Sequence, residues 1–236
     1  MTTDRSDDET TSHNRALVIG ASGGIGAALC AALSERGYDV TGLSRTADGI
    51  DFAEPDSVTS RLEALSGPFG MILVASGVLA PEGARPEKSL AEIDASRMAE
   101  VMTANAIGPA LVLRHAPRLL PRNGRSVVGV LTARVGSIGD NRLGGWHSYR
   151  ASKAALNQIM RNFAIELGRR NKGAVVVSLH PGTVETALSE PFSNNVPDGQ
   201  MFTPDYSAQC LLSVIDGLEA KDSGGFFAWD GQPIEF

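Results

Sequence analysis

The stretch Ala16-Leu17-Val18-Ile19-Gly20-Ala21-Ser22-Gly23-Gly24-Ile25-Gly26 sets the reading of everything that follows it. Four apolar residues in a row suit a short parallel strand buried on both faces. The glycines come next without a break, and a helical pattern then runs from Ala27 to about Arg36, with Gly37 as its stop. Strand, glycine turn and helix form the setting in which such a loop binds phosphate. Glycine permits the tight turn and close backbone approach, and the free N–H groups at the helix start face a pyrophosphate. Gly20, Gly24 and Gly26 give the spacing G-x-x-x-G-x-G; with Ser22 and Ile25 they are the expected cofactor-binding positions here. The same letters contain G-x-S-x-G, which would make Ser22 a hydrolase nucleophile with His147 or His180 as base. Element order argues against that alternative, because no earlier strand and loop could supply the oxyanion donor.

Working outward, Asp39 to Leu43 reads as the second strand and ends in Ser44-Arg45. An acidic residue there would hold the ribose 2′-hydroxyl of NAD, whereas an arginine accommodates the 2′-phosphate of NADP. Ile50-Asp51-Phe52 is a candidate edge strand, with Asp51 placed to accept from an adenine amino group, and Asp56-Ser57 is a candidate helix cap. Gly70 to Gly77 is a further buried strand, whose end places Ala75 and Gly77 at the ligand-binding edge of the sheet. A helical pattern spans about Leu90 to Leu120; Asn105 with Gly108-Pro109 in its middle predicts a local bulge or kink. Ser126 to Leu131 is the next strand, followed by Thr132 to Ile138 and a polar loop to Gly145. Ala174 to Leu179 and Gly225 to Trp229 complete the strands, and residues 187–204 read as a substrate loop.

Before that loop stands Tyr149-Arg150-Ala151-Ser152-Lys153. On a helix, residues four apart share a face, so a phenol and an ammonium would stand one above the other. A nearby cation favours phenolate, and Lys153 is therefore expected to lower the Tyr149 pKa into a range useful for acid–base work.

Strands alternating with helices predict an α/β fold: a single-domain, doubly wound (Rossmann) parallel sheet of about seven strands with helices on both faces. Residues 1–14 are polar and acid-rich and read as a disordered tail, leaving 15–236 as the domain. A net charge of -6, with no basic cluster beyond Arg169-Arg170, lacks the footprint of a nucleic-acid binder. Cys30 and Cys210 have no redox or zinc spacing, and four scattered histidines form no ligand motif, so no metal site is expected. No apolar run is long enough to span a membrane, and the cytoplasm is the expected compartment.

Four motifs in order (Gly20/Gly24/Gly26, Asn105, Tyr149/Lys153 and Pro181-Gly182) make the chain resemble the short-chain dehydrogenase/reductases over nearly all its length beyond the tail. Ala133-Arg134-Val135-Gly136-Ser137-Ile138, Leu143-Gly144-Gly145-Trp146 and Trp229-Asp230-Gly231-Gln232-Pro233-Ile234 resemble the C-factor-like and carbonyl-reductase-like subgroup. The resemblance implies a catalytic set of Tyr149, Lys153, Asn105 and a hydroxyl. Tyr149 would protonate a carbonyl oxygen, Lys153 would tune it and bind the nicotinamide ribose, and Asn105 would hold a water serving Lys153. Pro181, Gly182 and Thr183 or Thr186 would contact the nicotinamide side of the cofactor. Two departures stand out. The family's Asn-Ala-Gly reads Ala75-Ser76-Gly77, and Ala133 occupies the usual place of the serine, leaving Ser137 as first candidate and Thr132 as second.

The expected function is an NADP(H)-dependent oxidoreductase acting on a small-molecule ketone, aldehyde or alcohol, with NAD as the less favoured cofactor. Trp146, Phe192, Met201 and Phe202 point to an apolar or aromatic substrate. The alternative is a non-enzymatic, dinucleotide-binding signalling protein of the same fold. A homodimer or homotetramer is expected through the Asn105 and Tyr149 helices, the second being rich in alanine.

Overall fold

A computed structural model describes residues 14–190 and 201–236. The expected tail up to residue 13, and residues 191–200 of the expected substrate loop, including Phe192, lie outside the described residues.

β1 (Arg15–Ile19) leads through the glycine turn into α1 (Gly24–Glu35), β2 (Asp39–Leu43), a short α2 (Arg45–Asp48) and α3 (Pro55–Glu63). β3 (Met71–Val74) is followed by α4 (Ala95–Met102), a π-helical turn (Thr103–Ile107) and α5 (Gly108–Leu119). β4 (Ser126–Leu131), a 3-10 turn (Arg134–Gly136) and α6 (His147–Arg170) come next, then β5 (Ala174–His180), α7 (Pro204–Gly217) and β6 (Phe226–Ala228). All neighbouring strands run parallel, in the order β2-β1-β3-β4-β5-β6.

Successive strand side chains point to opposite faces, and β1 shows the consequence. Leu17 and Ile19 join a core with α3, α5 and α6, whereas Ala16 and Val18 join a second core with α1 and α7. Both faces are covered, which is why β1 and β3 read as apolar runs. Because β2 and β3 flank β1 on opposite sides, the chain reverses direction there and opens a crevice at the strands' C-terminal ends.

The described sheet has six strands rather than about seven. Ile50-Asp51-Phe52 forms no ladder, because the Ser57 hydroxyl accepts from the Asp51 N–H and donates to the Asp51 carbonyl, both at 2.9 Å. That arrangement also takes Ser57 away from the capping role expected of it. The pattern from Leu90 to Leu120 is not one helix: a 3-10 turn (Leu90–Glu92), α4, the π turn and α5 divide it. The bulge expected around Asn105 is the π turn itself. Among the described residues no helix is long and apolar enough to cross a membrane, and no cluster suits a metal ion.

Candidate active site

A cleft of about 820 Å³ runs along the C-terminal edge of the sheet. One end is built from backbone. The Gly20 and Ala21 N–H groups donate to the Leu43 carbonyl at 2.8 and 3.1 Å, which fastens the turn to the end of β2. Gly20 has a φ of +88°, a conformation suited to glycine, and a Cβ on Gly26 would lie 2.0 Å from the Gly20 oxygen. The turn therefore closes only with glycine at both ends. Gly23 precedes α1 with no side-chain cap, and no acidic residue occupies the first helical turn. The helix start thus keeps its positive end open to an anion. Gly24 and Ile25 line the cleft, as do Ala75, Gly77, Pro181, Gly182, Thr183 and Thr186.

Several expected cofactor residues lie elsewhere. Ser22 is exposed, and Gly26 is buried beneath the turn; neither lines the cleft. Ser44 caps α2, its Oγ accepting from the Ala47 N–H at 3.1 Å, and Asp51 Oδ1 accepts from the Ala53 N–H at 2.9 Å. Both side chains have internal partners and stand outside the cleft wall. Arg45 is exposed at the end of β2, without an ion-pair partner among the described residues.

Tyr149 and Lys153 both line the cleft on α6 and are only 6% and 3% exposed. Lys153 Nζ donates to the Leu131 carbonyl at 3.0 Å and lies 5.8 Å from the Tyr149 ring centroid. At that separation burial outweighs the charge. It pushes the phenol above its ordinary value of 10.0 and the ammonium down to about 8. The expectation that Lys153 lowers the Tyr149 pKa is corrected accordingly: the phenol stays firmly protonated near neutrality.

Asn105 sits fully buried in the π turn. Its Oδ1 accepts from the Val78 N–H at 2.8 Å, and its Nδ2 donates to the Val78 carbonyl at 2.8 Å and to Ser152 Oγ at 3.0 Å. Ser152 in turn donates to the Tyr149 carbonyl at 2.8 Å. Through these bonds Asn105 ties the loop after β3 to the tyrosine's helix. Gly77 leaves room for the arrangement, since a Cβ there would sit 3.1 Å from Asn105 Oδ1 and 3.2 Å from Lys153 Nζ.

The structure does not bring Ser137 to the cleft. Its hydroxyl is buried and accepts from the Asp140 N–H at 3.0 Å, closing a turn in the loop. Thr132, directly after β4, does line the cleft, and its buried Oγ1 has no hydrogen-bond partner. Ser76 Oγ and His180 Nδ1 are likewise unpartnered on the same walls. Ser76 therefore does not replace the structural bond of the missing asparagine. Burial holds the His180 imidazole down at about 4, Arg134 adding to the effect and Asp230 opposing it. It is neutral at pH 7.

Sequence reasoning missed Glu87. α6 starts without a side-chain cap from its own N-cap residue, Trp146, which adopts a left-handed φ of 50°. Glu87 supplies the cap from the loop before α4. Its carbonyl accepts from the Trp146 N–H, one carboxylate oxygen accepts from the Ser148 N–H at 3.2 Å, and the other accepts from the Ser148 hydroxyl. A negative charge at a helix N-terminus is favourable, and this one fixes the turn that carries Tyr149. No local signal pointed to it, because the cap comes from 61 residues away. Trp146 contacts the Tyr149 ring edge-on at 6.2 Å and lines the cleft. Met201 and Phe202 do not line it; Phe202 packs on Trp229 at 4.6 Å instead.

The geometry has counterparts among known proteins. The family model described as enoyl-(acyl carrier protein) reductase matches residues 42–209. Over 231 residues the chain is 34% identical to the 1-hydroxy-2-glutathionyl-2-methyl-3-butene dehydrogenase of Rhodococcus sp. strain AD45, covering 93% of this chain and 98% of that protein. Over 150 residues it is 41% identical to the C-signal of Myxococcus xanthus, covering 62% of this chain and 82% of that one. The fold is similar to that of a short-chain dehydrogenase/reductase from Burkholderia multivorans with bound NADP, at a TM-score of 0.76 and 25% identity, covering 94% of this chain and 99% of that one.

Proposed function

We propose, from the premise that the chain belongs to the short-chain dehydrogenase/reductase family, that this NAD(P)-dependent oxidoreductase reduces a ketone or aldehyde with NADPH, or oxidises the matching alcohol. The observation that carries the reading is a protonated, buried phenol on the wall of the cleft whose far end is the glycine turn. The turn fits a dinucleotide, because its close approach leaves no room for a Cβ and its helix start is open. A bound nicotinamide nucleotide would supply the hydride. Tyr149 holds the proton that a developing alkoxide needs, and Lys153, charged below about pH 8, faces the same space.

Thr132, not Ser137, is our assignment for the second hydroxyl, since only its side chain lines the cleft and lacks a partner. Gly24, Ile25, Ala75, Gly77, Pro181, Gly182, Thr183 and Thr186 are the proposed cofactor wall. Arg45 supports NADP over NAD, in keeping with the bound NADP of the Burkholderia protein. Exposed Ile107 and Ile165, on the π turn and α6, support an assembly of two or four copies through those helices; a monomer by light scattering would end that part. A cytoplasmic location belongs to the same proposal.

Following NADPH oxidation with a panel of carbonyls tests the reading. Turnover should fall by about 10²- to 10⁴-fold in Tyr149→Phe, with NADPH binding retained, and NADH should serve less well. Ala133 at the usual serine position and the likeness to the C-signal favour one second reading, a dinucleotide-binding signalling protein. NADPH binding without turnover of any carbonyl would favour it.

A further inference from the structure

We propose that the substrate carries a carboxylate, recognised by Arg134 and Arg142 with Arg150 behind them; this names the substrate class of the reductase site and rests on that reading. Arg134 and Arg142 come from the loop between β4 and α6, Arg150 from the first turn of α6, and all three line the cleft. The chain as a whole is acidic, at -6, so a cationic wall here runs against its composition. Among the described residues Asp140 is the one carboxylate lining the cleft, and it pairs with Arg134 at 3.2 Å. Arg142 and Arg150 have no carboxylate partner among the described residues.

Their neighbours are backbone carbonyls. Arg142 Nη1 donates to Gly139 at 2.7 Å and Asn141 at 3.3 Å. Arg150 donates through Nε to Gly144 at 3.2 Å and Gly145 at 3.0 Å, and through Nη1 to Val135 at 3.3 Å. Carbonyl dipoles orient a guanidinium and hold the loop, but they leave its net charge unneutralised. Each guanidinium has five donors, so Arg142 retains several for an incoming anion. Arg150 is more enclosed, and burial lowers its pKa, the sign of a charge partly removed from water.

The cofactor does not account for this charge. Its pyrophosphate is expected at Gly24 and Ile25, in the turn after β1, and a 2′-phosphate at Arg45, after β2. The arginines instead belong to the segment around Tyr149: Arg150 follows it on α6, Arg134 and Arg142 stand on the loop that leads to it, and all line the same cleft. A substrate with its reacting carbonyl at the phenol would therefore present its remote end to them. A carboxylate matches the planar donor fork better than any neutral group does.

The test uses the full-length protein and two probes of nearly equal shape, 4-formylbenzoate and its methyl ester. The wild type should reduce the acid with a kcat/KM about tenfold or more above the ester, an advantage that shrinks with added salt. Calorimetry on the NADP-loaded protein should show the same preference for 4-(hydroxymethyl)benzoate over its methyl ester. The double variant Arg134→Gln/Arg142→Gln should bring both ratios to about one, with unchanged melting and NADPH binding as the folding control. Arg170→Gln, at the far end of α6, should leave them alone. Equal or better binding of the ester by the wild type overturns the proposal, as does a preference that survives in the double variant. Preferential binding of the acid without reduction of either aldehyde supports the anion site and removes the reductase reading.

Discussion

The glycine turn after β1 and the loop between β4 and α6 face one cleft but are made of different materials. The turn works through backbone: N–H groups on the Leu43 carbonyl, a helix start without a cap, and contact distances that exclude a Cβ. The loop works through side chains: an unpartnered Thr132 hydroxyl, two arginines with a third just inside α6, and a tryptophan in a left-handed conformation. A backbone-built site tolerates few residues and so announces itself in the sequence. A side-chain-built site changes its chemistry one residue at a time while the fold stays put. Alanine stands at position 133, and the Thr132 hydroxyl beside it lines the cleft without a hydrogen-bond partner.

Single substitutions at each end of the cleft separate backbone-built from side-chain-built function. The largest effect is expected from Gly26→Ala. With its Cβ 2.0 Å from the Gly20 oxygen, the turn must open, and NADPH affinity should fall by about 100-fold or more, nearly 3 kcal/mol. Binding within about threefold of wild type (under 0.7 kcal/mol) would show that the turn is not the phosphate cradle. At the other end, Thr132→Val should lower kcat/KM by about 10²-fold through loss of one donor to the developing oxyanion. Ser137→Ala should instead cost about 1 kcal/mol of stability through its lost bond to Asp140, with the rate little changed. Steady-state kinetics and thermal melting on the pair separate the two roles, and the reverse pattern would return the catalytic hydroxyl to Ser137.

The smallest effect concerns pH. Lys153 falls to about 8 in the folded chain from an ordinary 10.5, so between those values the unfolded chain binds more protons and stability rises with pH. Tyr149 opposes this only above its ordinary value of 10.0, where the folded chain retains the proton. Between roughly pH 8 and 9, urea melts should show about 1 kcal/mol more stabilisation in wild type than in Lys153→Met. Identical slopes would mean that Lys153 is better hydrated than its burial suggests.

Legibility followed the range of the interactions involved. The π turn was readable because Asn105, Gly108 and Pro109 disturb a helix from within it. The missing edge strand at Ile50-Asp51-Phe52 was not, because a serine six residues on satisfied the backbone groups a ladder would have used. Ser137 looked like the displaced catalytic hydroxyl from its position beside Gly136. Three residues on, the Asp140 N–H had already claimed it.

By itself, then, the sequence determined the strand–turn–helix, the order of elements, the doubly covered parallel sheet and the pairing of Tyr149 with Lys153 on one helical face. Each of these is set by local periodicity or by the steric needs of glycine, which short stretches of chain carry in full. Tertiary structure alone decided which hydroxyl reaches the cleft, that Glu87 caps the tyrosine's helix, and that burial rather than charge governs the phenol. Those outcomes depend on desolvation and on partners dozens of residues away, quantities that exist only once the chain has closed on itself.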